Sequence, residues 1–285
     1  MLLEDFKLWN DRKGQFSPLK AATLALVCLP ALWIAFRLAS GMLGAKPIEA
    51  ALHETGLWAT RLLLITLAVT PCRLITGQNK IVLIRRMLGV AALVYTLIHF
   101  SLYIVDQRFD LIKVASEIVL RFYLTIGAIS LIAMTALGVT STDGMIRRMS
   151  ALAWNRLHFL IYPLTLLGLW HGALQSKINV SEAAVMTGLF LALIGVRVMR
   201  RRFEMGVLPL IGLVLLSVIV TAGLEAAWYG LATGIPPERI FAANLMIDLQ
   251  PRPALVVGMI ASVLPLLALL SRWLPGTRPP RTRSK

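Results

Sequence analysis

The sequence predicts an all-α polytopic membrane protein with about eight transmembrane helices. Three observations point to this class. The chain is 58% hydrophobic and only 15% charged, whereas soluble domains are about 45–50% apolar. It contains eight apolar runs of spanning length. Its basic residues concentrate in alternate segments between those runs, so membrane orientation explains the net charge of +15 better than nucleic-acid binding does.

The apolar runs follow one another with short connections, as expected for helices that cross a bilayer in turn. Cys28 and Cys72 lie in or beside such runs, which favours small packing residues over a disulfide or a thiolate metal site. The fifth run carries two histidines with Pro163 between them. The predicted spans are residues 20–42, 55–76, 87–105, 117–139, 151–174, 183–200, 207–231 and 254–274.

The distribution of Lys and Arg predicts the topology. Segments 1–20, 73–86, 147–156, 197–202 and 272–285 hold 20 of the 29 basic residues, and the alternating set holds seven. Because basic loops stay in the cytoplasm, we expect both chain termini there and an even number of spans. The Pro- and Arg-rich tail from Gly276 is expected to rest near anionic lipid headgroups.

Three histidines within the apolar runs are the main candidate site residues: His99, His158 and His171. Ionisable groups in spans are rare and usually functional, and neutral imidazole is a common haem ligand. Helix rise puts His99 and His171 within about 5 Å of one depth, whereas His158 lies about 20 Å lower, with no histidine at its level. Each of these histidines could instead form a hydrogen bond to a neighbouring helix. The fourth histidine, His53, precedes the second predicted span, where helix capping or an interfacial hydrogen bond explains it as well as ligation does.

Two arginines lie further inside apolar sequence than the others. Arg61 and Arg121 are candidates to bind an anionic group, such as the propionates of a haem. Arg85, Arg86 and Arg156 are closer to the predicted inner surface, where extension of the side chain to the headgroups is the simpler interpretation. The sequence contains no glycine-rich dinucleotide motif, so electrons from a nicotinamide cofactor would have to arrive through another protein.

Several stretches resemble the MsrQ/YedZ family, the haem-binding membrane subunits of bacterial methionine-sulfoxide reductase systems, which are ferric-reductase-like transmembrane proteins. The resemblance covers about residues 40–200 in order and spacing. The matching stretches include Gly44-Ala45-Lys46-Pro47, His53-Glu54-Thr55-Gly56, Thr70-Pro71-Cys72-Arg73, Leu97-Ile98-His99, Arg121-Phe122-Tyr123, Trp154-Asn155-Arg156-Leu157-His158, Trp170-His171 and Lys177.

The resemblance implies a b-type cytochrome of the bacterial inner membrane, with His99, His158 and His171 as ligands of one or two haem b groups. It implies electron transfer from quinol or a cytoplasmic flavin reductase to a periplasmic molybdopterin-containing methionine-sulfoxide reductase subunit. The chain itself would then carry electrons rather than act as an enzyme. The family has also been associated with FMN, although no motif for FMN is recognisable here.

Two departures from the family bear on these expectations. Phe122 replaces the usual proline after the arginine, which predicts a straighter fourth helix. Residues 204–285 add two helices and a basic tail to a haem-binding domain at residues 1–203, so we expect a six-helix core with a two-helix appendage. Two alternatives remain open: a transmembrane ferric or other metal reductase with a different acceptor, and a haem-free transporter or scaffold.

Overall fold

The computed structural model describes residues 9–10, 14–176, 179–203 and 205–273. These residues form α-helices and one 3₁₀ helix, Asn79–Ile84, with no β-strand among them. Lys177 and the predicted basic tail lie outside the described residues. The α-helices are α1 Pro18–Ala39, α2 Pro47–Thr76, α3 Arg85–Asp106, α4 Leu111–Leu120, α5 Phe122–Val139, α6 Asp143–Arg148, α7 Ala151–His158, α8 Ile161–Gln175, α9 Ser181–Met199, α10 Val207–Thr233, α11 Pro237–Leu245, α12 Pro253–Ala261 and α13 Val263–Ser271.

Eight helical segments of the described chain are long and apolar enough to cross a membrane, which confirms the predicted fold class. They run along α1, α2, the 3₁₀ helix with α3, α5, α7 with α8, α9, α10, and α12 with α13. The second span starts at Pro47, earlier than predicted, so His53 lies inside α2 rather than before it. The protein is therefore a multi-pass membrane protein.

The fourth predicted span is not one straight helix, so the expectation attached to Phe122 is wrong. The chain leaves helical geometry at Arg121, where φ is −106° and ψ is 106°. The Thr125 hydroxyl donates to the Ile118 carbonyl at 2.6 Å, which satisfies an acceptor that the end of α4 leaves open. This side-chain bond stabilises the break without a proline.

The fifth predicted span is also interrupted, between α7 and α8 at residues 159–160. Pro163 has no N–H to donate to the carbonyl four residues earlier, at Phe159, and its ring crowds that carbonyl. The backbone N–H of Tyr162 donates to the Phe159 carbonyl instead, at 3.3 Å. His158 and His171 consequently lie on two separate helices, so the relative direction of the two rings is not that of positions on one straight helix.

The described residues form two compact units. The first unit comprises those up to Thr66 and from Val82 to Gly172, and the second comprises Leu67–Ile81 and those from Ala173 onward. The sixth span, α9, therefore packs with the C-terminal helices. The boundary expected at residues 203/204 separates a haem-binding domain from an appendage. Because that division is one of function, it stays a prediction.

In the first unit, α1 packs against α3, and α3 and α4 pack against α5. Tyr95 of α3 inserts its hydroxyl into the hydrogen-bond ladder of α1. The hydroxyl accepts from the Ala31 N–H and donates to the Val27 carbonyl, both at 2.8 Å. It thus bridges a donor and an acceptor that would pair in a regular helix, next to Pro30 inside α1.

In the second unit, α10 packs against α9, α11, α12 and α13. A buried apolar cluster of Val196, Leu210 and Leu264 lies among these helices. Asn244 of α11 is fully buried and donates to Glu225 of α10 at 2.6 Å. Its side-chain oxygen accepts from the Ala254 N–H at 3.1 Å, so one amide joins three helices and satisfies a donor at the start of α12.

Candidate functional site

His99 lies on α3, in the first unit, and points at the backbone of α2. Its Nδ1 is 2.8 Å from the Leu52 carbonyl oxygen. A carbonyl oxygen only accepts hydrogen bonds, so Nδ1 must carry the proton. In the neutral ring this leaves the lone pair of Nε2 available to a metal. The Thr55 hydroxyl also donates to the Leu52 carbonyl, at 2.9 Å.

His171, on α8 in the same unit, is held in the same way. Its Nδ1 is 2.8 Å from the Tyr123 carbonyl oxygen of α5, the first-turn carbonyl that follows the break at Arg121. The same argument assigns the proton to Nδ1 and the available lone pair to Nε2. Metal-bound histidines are commonly oriented by a hydrogen bond of this kind from the other ring nitrogen.

The two rings lie together, as their predicted depths suggested. Their centroids are 6.3 Å apart and their planes are nearly perpendicular, at 89°. With metal–nitrogen bonds of about 2.0–2.1 Å and about 1.1 Å from nitrogen to ring centre, two imidazoles on opposite sides of one metal have centroids about 6–6.5 Å apart. The donor type, the tautomer and the ring separation therefore fit two histidines that would together hold a haem iron.

His158 lies apart from this pair, at the end of α7. Its ring stacks on Trp154 with centroids 3.7 Å apart. Nε2 is 3.1 Å from the Ser141 hydroxyl oxygen, and Nδ1 is 3.1 Å from the Trp154 carbonyl oxygen. Both ring nitrogens thus contact protein atoms, so ligation by His158 would require the contact at one nitrogen to open.

The two arginines singled out from the sequence have different surroundings. The Arg61 guanidinium lies 5.1 Å from the ring centre of Trp58 on the same helix. Arg121 is half-exposed and contacts the Tyr123 hydroxyl at 3.0 Å and Glu117 at 3.1 Å. The bond to Tyr123 and the charge of Glu117 raise the pKa of Arg121, which stays cationic. Tyr123 thus contacts Arg121 through its hydroxyl and His171 through its backbone carbonyl.

Sequence reasoning missed the two carbonyl groups that orient the rings. The side chains of Leu52 and Tyr123 give no indication of this role, because the backbone oxygens of these residues accept the hydrogen bonds from the histidines. Ser141, which contacts His158, was part of no motif with an assigned role. Only helix packing brings these groups to the histidines, which are 47 and 48 residues away in the chain.

Comparison with known proteins places the chain among membrane redox proteins. Residues 55–169 match the family described as the ferric reductase like transmembrane component. The heme-binding subunit MsrQ of the protein-methionine-sulfoxide reductase from Xanthomonas campestris is 41% identical over 184 residues, covering 64% of this chain and 84% of that protein. The chain belongs to the MsrQ family. No solved structure matches it.

A second MsrQ relative, from Rhodospirillum rubrum, is 39% identical over 197 residues, which cover 68% of this chain and 92% of the relative. The chain thus spans most of the length of these MsrQ proteins and continues beyond the aligned stretch. The ferric reductase like match includes His99 and His158 but ends at residue 169, before His171.

Proposed function

We propose that this protein is a haem-binding electron-transfer subunit of a methionine-sulfoxide reductase system. The pairing of His99 with His171 carries the proposal. Two membrane histidines that share a depth, a tautomer and a separation suited to one metal are difficult to explain as ordinary helix contacts, since one nitrogen of each ring then has no assigned role.

Haem iron supplies a reversible one-electron carrier within a layer that charged soluble carriers do not enter. The chain's own residues would hold and orient it. His99 and His171 would hold one haem b through Nε2, with each ring oriented by a backbone carbonyl, that of Leu52 or Tyr123. Arg61 and Arg121 are proposed to face the propionates. His158 is proposed to serve a second haem, and FMN is a further cofactor to be tested.

The proposed acceptor is a periplasmic molybdopterin-containing reductase subunit, and the proposed donor is quinol or a cytoplasmic flavin reductase. The support is the name shared by the relatives, which are heme-binding subunits of protein-methionine-sulfoxide reductases. The chain itself is proposed to transfer electrons and not to reduce methionine sulfoxide.

We propose that the chain lies in the bacterial inner membrane with both termini in the cytoplasm, on the basis of its 20-to-7 loop asymmetry in Lys and Arg. Reporter fusions test this orientation. Fusions after Arg202 and Arg283 should report the cytoplasm, and a fusion at Ala242 should report the periplasm. A periplasmic C-terminus would overturn the topology.

The function is tested with the purified full chain. Reduction by dithionite should give a b-type haem spectrum, and pyridine haemochrome analysis should give one or two haems per chain. Under anaerobic conditions, a periplasmic methionine-sulfoxide reductase subunit with an oxidised-methionine substrate should reoxidise the reduced chain. A stably inserted chain without b-type bands would leave the haem-free transporter or scaffold as the better interpretation.

A ferric or other metal reductase is the second candidate, favoured by the match of residues 55–169 to a ferric reductase like family. A ferric chelate added outside sealed vesicles distinguishes the two. Rapid reoxidation by the chelate, with no response to the reductase subunit and its substrate, would favour this second function.

A further inference from the structure

The two histidines of the pair each lie against a glycine of a neighbouring helix. A Cβ atom built on Gly56 of α2 would come within 2.8 Å of Nδ1 and 2.9 Å of Cε1 of His99. A Cβ atom built on Gly127 of α5 would come within 2.9 Å of Cε1 and 3.0 Å of Nδ1 of His171. An alanine at either position would therefore overlap the imidazole ring.

The glycines stand at equivalent positions relative to the carbonyls that orient the rings. Gly56 follows Leu52 by four residues, and Gly127 follows Tyr123 by four residues. In an α-helix the carbonyl of one residue points along the axis towards the residue four positions later. A side chain at that later position would stand beside the carbonyl, so its absence lets an imidazole reach the oxygen from outside the helix.

We propose that Gly56 and Gly127 are positioning residues for the haem-ligand histidines. Each glycine admits its imidazole to the backbone carbonyl four residues earlier, which fixes the proton on Nδ1 and presents Nε2 to the iron. The same device occurs twice, between α2 and α3 and between α5 and α8. This inference rests on the proposed function, because it assumes that His99 and His171 bind haem.

Not every glycine of these helices lies against a side chain of a neighbouring helix. Gly168, on α8 three residues from His171, has no atom within 4 Å of an added Cβ. Alanine is a better helix former than glycine, so helix stability alone would favour alanine at positions 56 and 127. Glycine at these positions is explained by the space that the imidazole rings need. Gly168→Ala therefore serves as a control for the substitution itself.

The test compares Gly56→Ala, Gly127→Ala and Gly168→Ala in the full chain. We expect the first two variants to lose most of the low-spin bis-histidine signal or to retain less than half of the haem, and Gly168→Ala to resemble the wild type. Electron paramagnetic resonance and pyridine haemochrome analysis measure both quantities without any assay of reductase activity. A wild-type signal and haem content in both Gly56→Ala and Gly127→Ala would overturn the inference.

A double-mutant comparison covers the case in which an alanine variant fails to accumulate in the membrane. Removal of the His99 ring removes the overlap, so Gly56→Ala in a His99→Ala background should accumulate as well as His99→Ala alone. Gly56→Ala in a His171→Ala background keeps the overlap and should accumulate less than His171→Ala. Equal losses in the two backgrounds would contradict a role through His99.

The single histidine variants separate this inference from the proposed function. If His99→Ala and His171→Ala abolish the low-spin signal while both glycine variants leave it unchanged, only the role of the glycines fails. If the histidine variants keep the signal, the haem ligation fails and the inference fails with it.

Discussion

Glycines allow close approach of helices in both units of the molecule, but different side chains fill the space. In the second unit, an added Cβ on Gly258 would meet Val218 at 2.9 Å, and one on Gly188 would overlap the Thr221 hydroxyl and Val257. In the first unit, Gly56 and Gly127 instead face the rings of His99 and His171. An added Cβ on Gly138, also in the first unit, would overlap Leu93. Small residues thus serve helix packing in both units, and in the first unit two of them also lie against the paired histidines.

Asn244 of the second unit and the paired histidines of the first unit use their polar atoms differently. Asn244 in the second unit uses its amide on Glu225, Ile240 and Ala254, all within the protein. His99 and His171 each use one ring nitrogen on a backbone carbonyl and keep the other for a partner. Asn244 therefore serves helix association, whereas the second ring nitrogen of each histidine is available to the proposed haem.

The largest expected effect follows from removing one of the paired rings. His99→Ala and His171→Ala should each abolish the low-spin bis-histidine signal, because iron would lose one of its two proposed axial ligands. Electron paramagnetic resonance and the reduced spectrum of the purified variants measure the loss. His158→Ala serves as the comparison and should leave this signal largely intact while lowering the haem content if a second haem is present.

Truncation after Arg202, which removes α10 to α13 and leaves the rest of the second unit, tests whether haem binding depends on these C-terminal helices. The proposed ligands lie before this point, so the truncated chain should keep the reduced b-type spectrum. Its thermal stability should fall, because α9 would lose the helices α10 and α12 that cover its buried face. A well-inserted truncated chain without haem would contradict the assignment of residues 1–203 as the haem-binding domain.

Asn244→Ala tests the polar contacts of the second unit. The change leaves the Ala254 N–H and a Glu225 oxygen without their partner, which should cost about 1–3 kcal/mol of stability. Ser217→Ala is a suitable control, since the Ser217 hydroxyl bonds a carbonyl of its own helix, and should cost less than about 1 kcal/mol. Unfolding in SDS measures both, and the haem spectrum should not change.

Span number and approximate depth could be predicted from sequence because both depend on hydropathy and on the constant rise of a helix. This is why eight spans and the proximity of His99 to His171 follow from the chain alone. The break at residues 159–160 was signalled by Pro163, but the break at Arg121 was not. The break at Arg121 is stabilised by the Thr125 hydroxyl. Threonine also occurs in many unbroken membrane helices, so its presence does not predict a break.

The contacts that orient the rings could not be predicted from sequence. Gly56 lies in a stretch that supports the family resemblance, yet nothing local says that a histidine on another helix fills the space beside it. The packing of α9 with the C-terminal helices could not be predicted either. The length shared with relatives indicates how far the family resemblance extends, but it does not indicate which helices pack together. Such pairings depend on three-dimensional packing between helices distant in the chain.

The smallest expected effect concerns Arg121, for which Arg86 offers a matched comparison. Both side chains are about half-exposed and paired with a carboxylate, Arg121 with Glu117 and Arg86 with Asp143. Loss of an exposed ion pair changes stability little, so Arg121→Gln and Arg86→Gln should unfold at similar temperatures. Of the two, only Arg121 contacts Tyr123, whose carbonyl holds His171, and only Arg121 is proposed to face a propionate. Arg121→Gln should therefore release haem to apomyoglobin severalfold faster than the wild type, while Arg86→Gln should release it at the wild-type rate. Equal release rates in the two variants would show that the charge of Arg121 serves its contacts with Glu117 and Tyr123 rather than the cofactor.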